Sequence, residues 1–160
     1  MDATFRRATD GDAPAALAVV DRALRDYGLW AVPEAGDVDV VEIERHYDAR
    51  GGRLELIEFG GEVVGVVGWR PSSDGTVELK KLYLLAAARG HGIGRQAAAR
   101  VIDAARAAGA RAVVLETAVR LTEANALYRR LGFVPVSGPA AGSFATLTDQ
   151  CDLAYRLELA

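Results

Sequence analysis

Gly90, Gly92 and Gly94 alternate within KLYLLAAARGHGIGRQAAARVIDAARAAG, residues 81–109, between an apolar run and a long Ala-rich stretch that opens at Ile93 or Gly94. That arrangement suits a phosphate. The first turn of a helix leaves backbone N–H groups without intrahelical partners, and the macrodipole adds partial positive charge there. Without Cβ atoms the glycines let a diphosphate reach the main chain and adopt positive φ cheaply. Arg89 and Arg95 add charge beside them. Two carboxylates could accept a proton near such a cradle: Glu78, on the run that leads to it, and Glu116, near the end of the next apolar run. Tyr128 shares the face Ala124, Leu127, Tyr128 and Leu131 of a predicted helix, so its ring points inward.

Three phosphate-binding motifs compete for the glycine run, and their flanks separate them. A P-loop requires Gly-Lys followed by Ser or Thr, and no Gly-Lys dipeptide occurs. Gly92, Gly94 and Ala97 do spell GxGxxA, the dinucleotide fingerprint, which leaves an NAD(P)-binding protein as an alternative. That fingerprint needs a βαβ unit with further parallel units behind it. Here the residues before the turn read as two adjacent strands, Glu62 to Trp69 and Thr76 to Leu85, joined by Pro71, Ser72, Ser73, Asp74 and Gly75, which is hairpin chemistry. The third motif is RxxGxG, formed by Arg89, Gly92 and Gly94.

The run from Glu78 to Gly94, the segment ALYRRLGF from Ala126 to Phe133 and RRATDGDAPAAL from Arg6 to Leu17 together resemble the GNAT superfamily of acetyl-CoA-dependent N-acetyltransferases. The resemblance covers nearly the whole chain and implies one α/β (α+β) domain over residues 1–160, a mixed, mostly antiparallel central sheet flanked by about four helices. It implies acetyl-CoA as co-substrate, with the backbone of Leu82, Tyr83 and Leu84 on the pantetheine and acetyl carbonyl. Arg89, Gly90, His91, Gly92, Ile93, Gly94 and Arg95 would hold the diphosphate. Tyr128 would protonate the departing thiolate, and Glu78, or failing it Glu116, would take the proton of the amine. The segments that cover the acetyl end in this family correspond here to Tyr27, Trp30, His46 and Tyr47, which could line the acceptor pocket, and to the 137–150 loop. One departure stands out. Many members carry Asn seven residues before the tyrosine, where Leu121 stands here, and Asn125 is one helical turn away. The acceptor is a small-molecule or peptide amine, a homodimer is common among similar proteins, and a catalytically silent acyl-CoA-binding module is the rival with the same cradle.

Composition narrows the setting. With 160 residues, 51% hydrophobic and 26% charged, the chain is long enough for one domain with a proper core. Neither a signal core nor an apolar run of about 20 residues is present, so the expectation is a cytoplasmic protein without membrane contact. Cys151 stands alone among cysteines, and His46 and His91 lie far apart, so no metal site is expected. A net charge of −3 argues against nucleic-acid binding. Charge is nevertheless uneven: from Lys80 to Arg130 there are ten Lys or Arg against Asp103, Glu116 and Glu123. Glu34, Asp37, Asp39, Glu42, Glu44 and Asp48 face Arg45 alone in the preceding stretch, a solvated face or a lure for a cationic substrate.

The positioning elements follow from periodicity and turn chemistry. Thr4 to Ala8 reads as a strand, and a helix capped by Asp10 or Asp12 runs to about Tyr27 with Leu17, Val20 and Leu24 inward. A second helix is expected up to about Ala49, stopped by Gly51 and Gly52. A meander over Leu54 to Phe59, Glu62 to Trp69 and Thr76 to Leu85 precedes the long helix, whose inward set reads Ile93, Ala97, Val101, Ala104, Ala105 and Ala108. Strands at Ala112 to Glu116, Phe133 to Val136 and Leu153 to Leu159 complete the sheet, with a helix over Thr122 to Leu131. In the strand before the glycines, apolar parity switches across Lys80 and Lys81: Val77 and Leu79 are odd, Leu82 and Leu84 even. Such a switch marks a β-bulge, or else a strand buried on both faces after Leu82.

Overall fold

The computed structural model describes residues 2–137 and 152–159. Gly60 and Gly61, at φ +64° and +81°, reverse the chain between β2 (Arg53–Phe59) and β3 (Glu62–Pro71), and Gly75 at φ +82° turns it again into β4 (Thr76–Leu84). Positive φ at these points suits tight hairpins between twisted strands. With β1 (Thr4–Arg7), β5 (Ala112–Thr117), β6 (Val134–Val136) and β7 (Leu153–Glu158), the sheet runs β1-β2-β3-β4-β5-β7-β6. Among the described strands only β4 and β5 are parallel neighbours. A doubly wound sheet is therefore not formed, and the mixed, mostly antiparallel arrangement is.

Helices cover both faces. On one, α1 (Ala13–Arg25) and the short α2 (Ile43–His46) bury Val20, Leu24, Val40, Ile43 and Tyr47 against Leu54, Leu56 and Val66. On the other, α3 (Ile93–Ala107) and α4 (Thr122–Arg130) cover Ile57, Val67, Val77, Leu79 and Val113. The buried line of α3 is Ile93, Ala97, Val101 and Ala105, an i, i+4 row, with Ala98 and Ile102 beside it. Ala104 is only half-buried and Ala108 exposed, so the apolar stripe is rotated toward the 98 and 102 side of the expected one. In α1, likewise, Ala16, Val19 and Ala23 join Val20 and Leu24 inside while Leu17 stays half-buried.

The second helix is shorter than expected. Three residues of 3-10 helix at Val38–Val40 and again at Asp48–Arg50 flank the four of α2. Valines at 38, 40 and 41 are poor helix formers, and Asp37 and Asp39 turn inward to a buried partner, so the backbone follows those side chains rather than one axis.

β4 does contain the inserted residue. Gly68 pairs with Lys81 and Trp69 with Leu79, leaving Lys80 as the extra residue of a bulge. Beyond it Leu82, Tyr83 and Leu84 still pair with β3, whereas the β4–β5 ladder stops at Glu78 and Val114. The sheet is therefore split at its centre. Gly68, opposite the bulge, is in close contact with the core: a Cβ there would lie 2.8 Å from Tyr47 Cε1 and 2.9 Å from Leu54 Cδ1. Both neighbours are fully buried. Gly68→Ala should accordingly cost about 1–3 kcal/mol, read as a lower urea midpoint at unchanged m.

Candidate active site

A cleft of about 720 Å³ opens where β4 and β5 part, walled by Leu82, Tyr83 and Leu84, the glycine turn, the end of α1 and the Leu121, Ala124, Leu127 side of α4. Gly92 caps α3 at φ +76° and Gly90 has φ +81°, and a Cβ at either would meet nothing within 4 Å. Their need for glycine is conformational, and the space beside them is open. The first helical bond of α3 runs from Gln96 N–H to the Gly92 carbonyl at 3.1 Å, and no side chain caps the helix. The N–H groups of Ile93, Gly94 and Arg95 consequently precede any intrahelical acceptor, which fits a diphosphate. Arg95 and Arg130 add positive charge to the lining.

Arg89 does something else in this wall. Its Nε and Nη2 donate to the Leu84 carbonyl at 3.1 and 2.9 Å, its Nη2 lies 3.3 Å from Asp26, and its guanidinium sits 5.0 Å over the Tyr27 ring. It ties the end of β4 to the end of α1. Tyr27 donates to the Glu123 carboxylate, and both line the same cleft. Burial first, then that carboxylate, pushes the Tyr27 hydroxyl up to about 12. Tyr27 thus belongs to the wall of the same cleft as the glycine turn. His91 lies over Phe59, ring centroids 5.2 Å apart, and is exposed.

On the α1 face of the split lies a group of charges. Glu78 is nearly buried and has Arg70 Nε 3.4 Å from its Oε1 and Lys80 Nζ 3.9 Å from its Oε2. Glu116 stands two residues past the last rung of the ladder, half-buried, with Oε1 buried and lacking a hydrogen-bond partner among the described residues. Desolvation, reinforced by the charge of Glu78 and opposed by Lys80, raises its carboxyl to about 7. Neighbouring Lys81 is buried in β4, its Nζ 2.6 Å from Asp37 Oδ1, 3.5 Å from Asp39 Oδ1 and 3.3 Å from the Gly36 carbonyl. Burial acts to lower its pKa, but Asp39, Tyr83 and Asp37 outweigh that and hold the ammonium above the usual lysine value.

The remaining expected residues divide. Tyr128 lies just behind the cleft lining, 3% exposed, its ring 5.7 Å from Phe133 and 5.8 Å from Tyr155. Burial raises its pKa further above the phenol value, with Tyr83 and Tyr155 adding to it. Tyr47 is fully buried and donates to Asp39, which makes it core rather than pocket wall. Trp30 is 51% exposed, and His46 lies 3.5 Å from Glu42. Asn125 donates to the carbonyls of Ala118 and Leu121, both at 2.9 Å, and so fastens the β5–α4 turn, while Leu121 itself lines the cleft. Cys151 and the 138–150 part of the expected loop lie outside the described residues. Arg70, Lys80 and Lys81 escaped the sequence reading as site residues, although the parity break pointed at the lysine pair.

A family model described as "Acetyltransferase (GNAT) family" matches residues 18–133. The chain belongs to the GNAT family. A relative, the uncharacterised N-acetyltransferase YjgM of Escherichia coli K12, is 37% identical over 134 residues, covering 81% of this chain and 80% of its own. The GNAT acetyltransferase structure from Staphylococcus aureus Mu50 superposes with a TM-score of 0.89 at 17% identity, over 99% of this chain and all of the other. The PaiA N-acetyltransferase of Thermoplasma acidophilum, solved in complex with coenzyme A, matches at TM-score 0.75 and 13% identity, again over 99% and 100%. The chain is therefore an acyltransferase of the N-acetyltransferase kind. Among its described residues no group of three or more His, Cys, Asp or Glu could hold a metal, and no helix is long and apolar enough to cross a membrane.

Proposed function

We propose that this GNAT protein transfers the acetyl group of acetyl-CoA to an amine by direct attack, with Glu116 as base and Tyr128 as acid. The observation that carries this reading is the split between β4 and β5, with a glycine cradle at its wide end and a carboxyl raised to about 7 on the far side. Diphosphate on the N–H groups of Ile93, Gly94 and Arg95 directs the pantetheine along Leu82, Tyr83 and Leu84, which lie beyond the last rung of the β4–β5 ladder. Fixed backbone donors beside the thioester oxygen then stabilise the charge that develops there.

Proton traffic follows from the two side chains. An amine arrives as ammonium and must lose a proton before its lone pair can attack the carbonyl carbon. A carboxylate titrating near neutrality is matched to that task. The ammonium proton passes to Glu116 before attack. As the N–C bond forms and the C–S bond breaks, the coenzyme thiolate takes the proton of Tyr128, and the second proton, shed by nitrogen as the amide forms, returns to the phenolate. Glu116 then gives its proton to solvent. Glu78, expected as the first choice of base, already faces two cations, Arg70 at 3.4 Å and Lys80 at 3.9 Å, whereas Glu116 Oε1 has no hydrogen-bond partner among the described residues, which favours Glu116 as the acceptor.

Calorimetry with acetyl-CoA, followed by a thiol-release assay over a panel of amines, tests the proposal. Binding with turnover is expected. Binding without turnover on any amine would favour the silent acyl-CoA module, and no binding would remove both readings. Tyr128→Phe should lower kcat about 10²-fold with the acetyl-CoA Kd unchanged, and an unaltered kcat would reassign the acid.

A further inference from the structure

Four of the six carboxylates in the acidic stretch before β2 are already engaged. Asp37 and Asp39 are committed to Lys81, Asp48 to Arg7 at 2.6 Å, and Glu44 accepts the Asp10 N–H at 2.9 Å. The charges with unused capacity stand instead at the split. Arg70 and Glu78 are cross-strand partners on the α1 face, and Lys80 is the bulge residue beside them. Their contacts are loose: 3.4 Å for Arg70 and 3.9 Å for Lys80, each to the one carboxylate they share. Elsewhere in this chain comparable pairs close tightly, Arg100 on Glu55 at 2.7 Å through two N–H groups and Lys81 on Asp37 at 2.6 Å. Charge-assisted bonds usually close to about 2.7–2.9 Å.

A guanidinium with five donors and an ammonium with three are thus served by one distant carboxylate among the described residues. Their side chains are 17% and 23% exposed, so each retains access to solvent yet is shielded enough for its charge to count. Two residues past the ladder stands Glu116, with its unpartnered oxygen. Strand spacing puts Glu78 and Glu116 roughly 8 Å apart before the strands part. A bare cationic amine could use Glu116 but would face two unsaturated cations. A molecule carrying both charges close together satisfies the whole group.

We infer that the acceptor is a zwitterion of the α-amino-acid type, its amine directed to Glu116 and its carboxylate to Arg70 and Lys80. This rests on the acetyl-transfer reading and adds Arg70 as a specificity-determining residue. An arginine fork accepts a carboxylate in two parallel bonds, and Lys80 adds a point charge. Decarboxylated amines offer neither cation a partner, and α-amides offer only a neutral carbonyl oxygen.

The test is thiol release from acetyl-CoA with matched sets: each common L-amino acid, its α-amide and its decarboxylated amine. At least one amino acid should show kcat/KM about 100-fold above both of its counterparts. Arg70→Gln should raise the KM for that acid about 100-fold and change kcat less than about threefold, with the acetyl-CoA Kd unchanged and partial recovery in Arg70→Lys. Lys80→Gln, at a more exposed site, should raise KM about tenfold and serves if the Arg70 variants fail to fold. Equal use of the amides or decarboxylated amines overturns the inference, as does an unaltered KM in the variants or no amino acid turned over by a protein that binds acetyl-CoA. Failure to bind acetyl-CoA is a separate result and sinks the acetyl-transfer reading itself.

Discussion

Glu116→Gln should lower kcat about 10³-fold while the Kd for acetyl-CoA stays within about twofold. Gln keeps the size of the side chain and its place on β5 but cannot take a proton from the attacking nitrogen. Because Glu116 lies outside the cleft lining, cofactor binding should not notice the change. The pH profile carries the sharper signature. A base works when deprotonated, so kcat/KM of the wild type should rise through about pH 7, where burial and Glu78 have raised this carboxyl. In Glu116→Gln that limb should vanish. Glu78→Gln, by removing a like charge, should move the limb to lower pH, and Lys80→Gln, by removing the opposing cation, to higher pH. A limb that survived in Glu116→Gln would return the role to Glu78.

The same shift affects stability. A carboxyl whose folded pKa of about 7 exceeds the ordinary glutamate value of 4.5 binds its proton more tightly in the folded state. Its contribution is therefore complete below about pH 4.5 and is lost as pH rises through 7. Glu116→Gln, which never ionises, should have a higher Tm than wild type at pH 8 and the same Tm at pH 4. Half-exposure screens the effect, so its sign across the two pH values is the measurement. Activity gained from a strained ionisation at the expense of stability is expected of catalytic groups.

Local rules sufficed for the parts of this fold whose residues act on their own backbone. The glycine pairs set turns, Gly92 and Gly94 opened α3, and the parity switch across Lys80 and Lys81 marked the bulge that the strand register assigns to Lys80, because each effect works within a few residues. The shortened α2 was not legible, since Asp37 and Asp39 are drawn inward by a lysine 44 and 42 positions away, and periodicity cannot register a partner at that range. Arg89 shows the same limit: its position in the glycine motif marked it as a residue of the cleft wall, but its bonds to the Leu84 carbonyl and Asp26 were not legible there. Glu78 and Glu116 were both visible as candidates. Which of them is left unpartnered depended on Arg70 reaching across from β3, and so on strand register rather than spacing.

Lys81→Met should destabilise the protein by about 3–5 kcal/mol. The methionine fills most of the lysine's volume, so packing changes little, but Asp37 and Asp39, 8% and 2% exposed, lose the cation between them. Tyr47 donates to Asp39 and the Val32 N–H donates to Asp37 at 2.8 Å, and neither neutral donor replaces an ammonium. Urea unfolding reads the loss directly. A triple variant, Lys81→Met with Asp37→Asn and Asp39→Asn, should recover most of it, because the penalty belongs to uncompensated buried charge and not to the lysine's own contacts. If the triple variant were no more stable than Lys81→Met, the lysine stem would be the stabilising part and the charge incidental. The location of the cluster extends the effect to function. Lys81 is the first residue after the bulge, and its carboxylate partners belong to the segment between α1 and α2. One ion cluster therefore fixes the segment between α1 and α2 to β4 just past its bulge. Below the unfolding transition, Lys81→Met should raise KM for the acceptor by about tenfold and leave the pH at which Glu116 titrates near its wild-type value, since that group's shift arises from burial, Glu78 and Lys80.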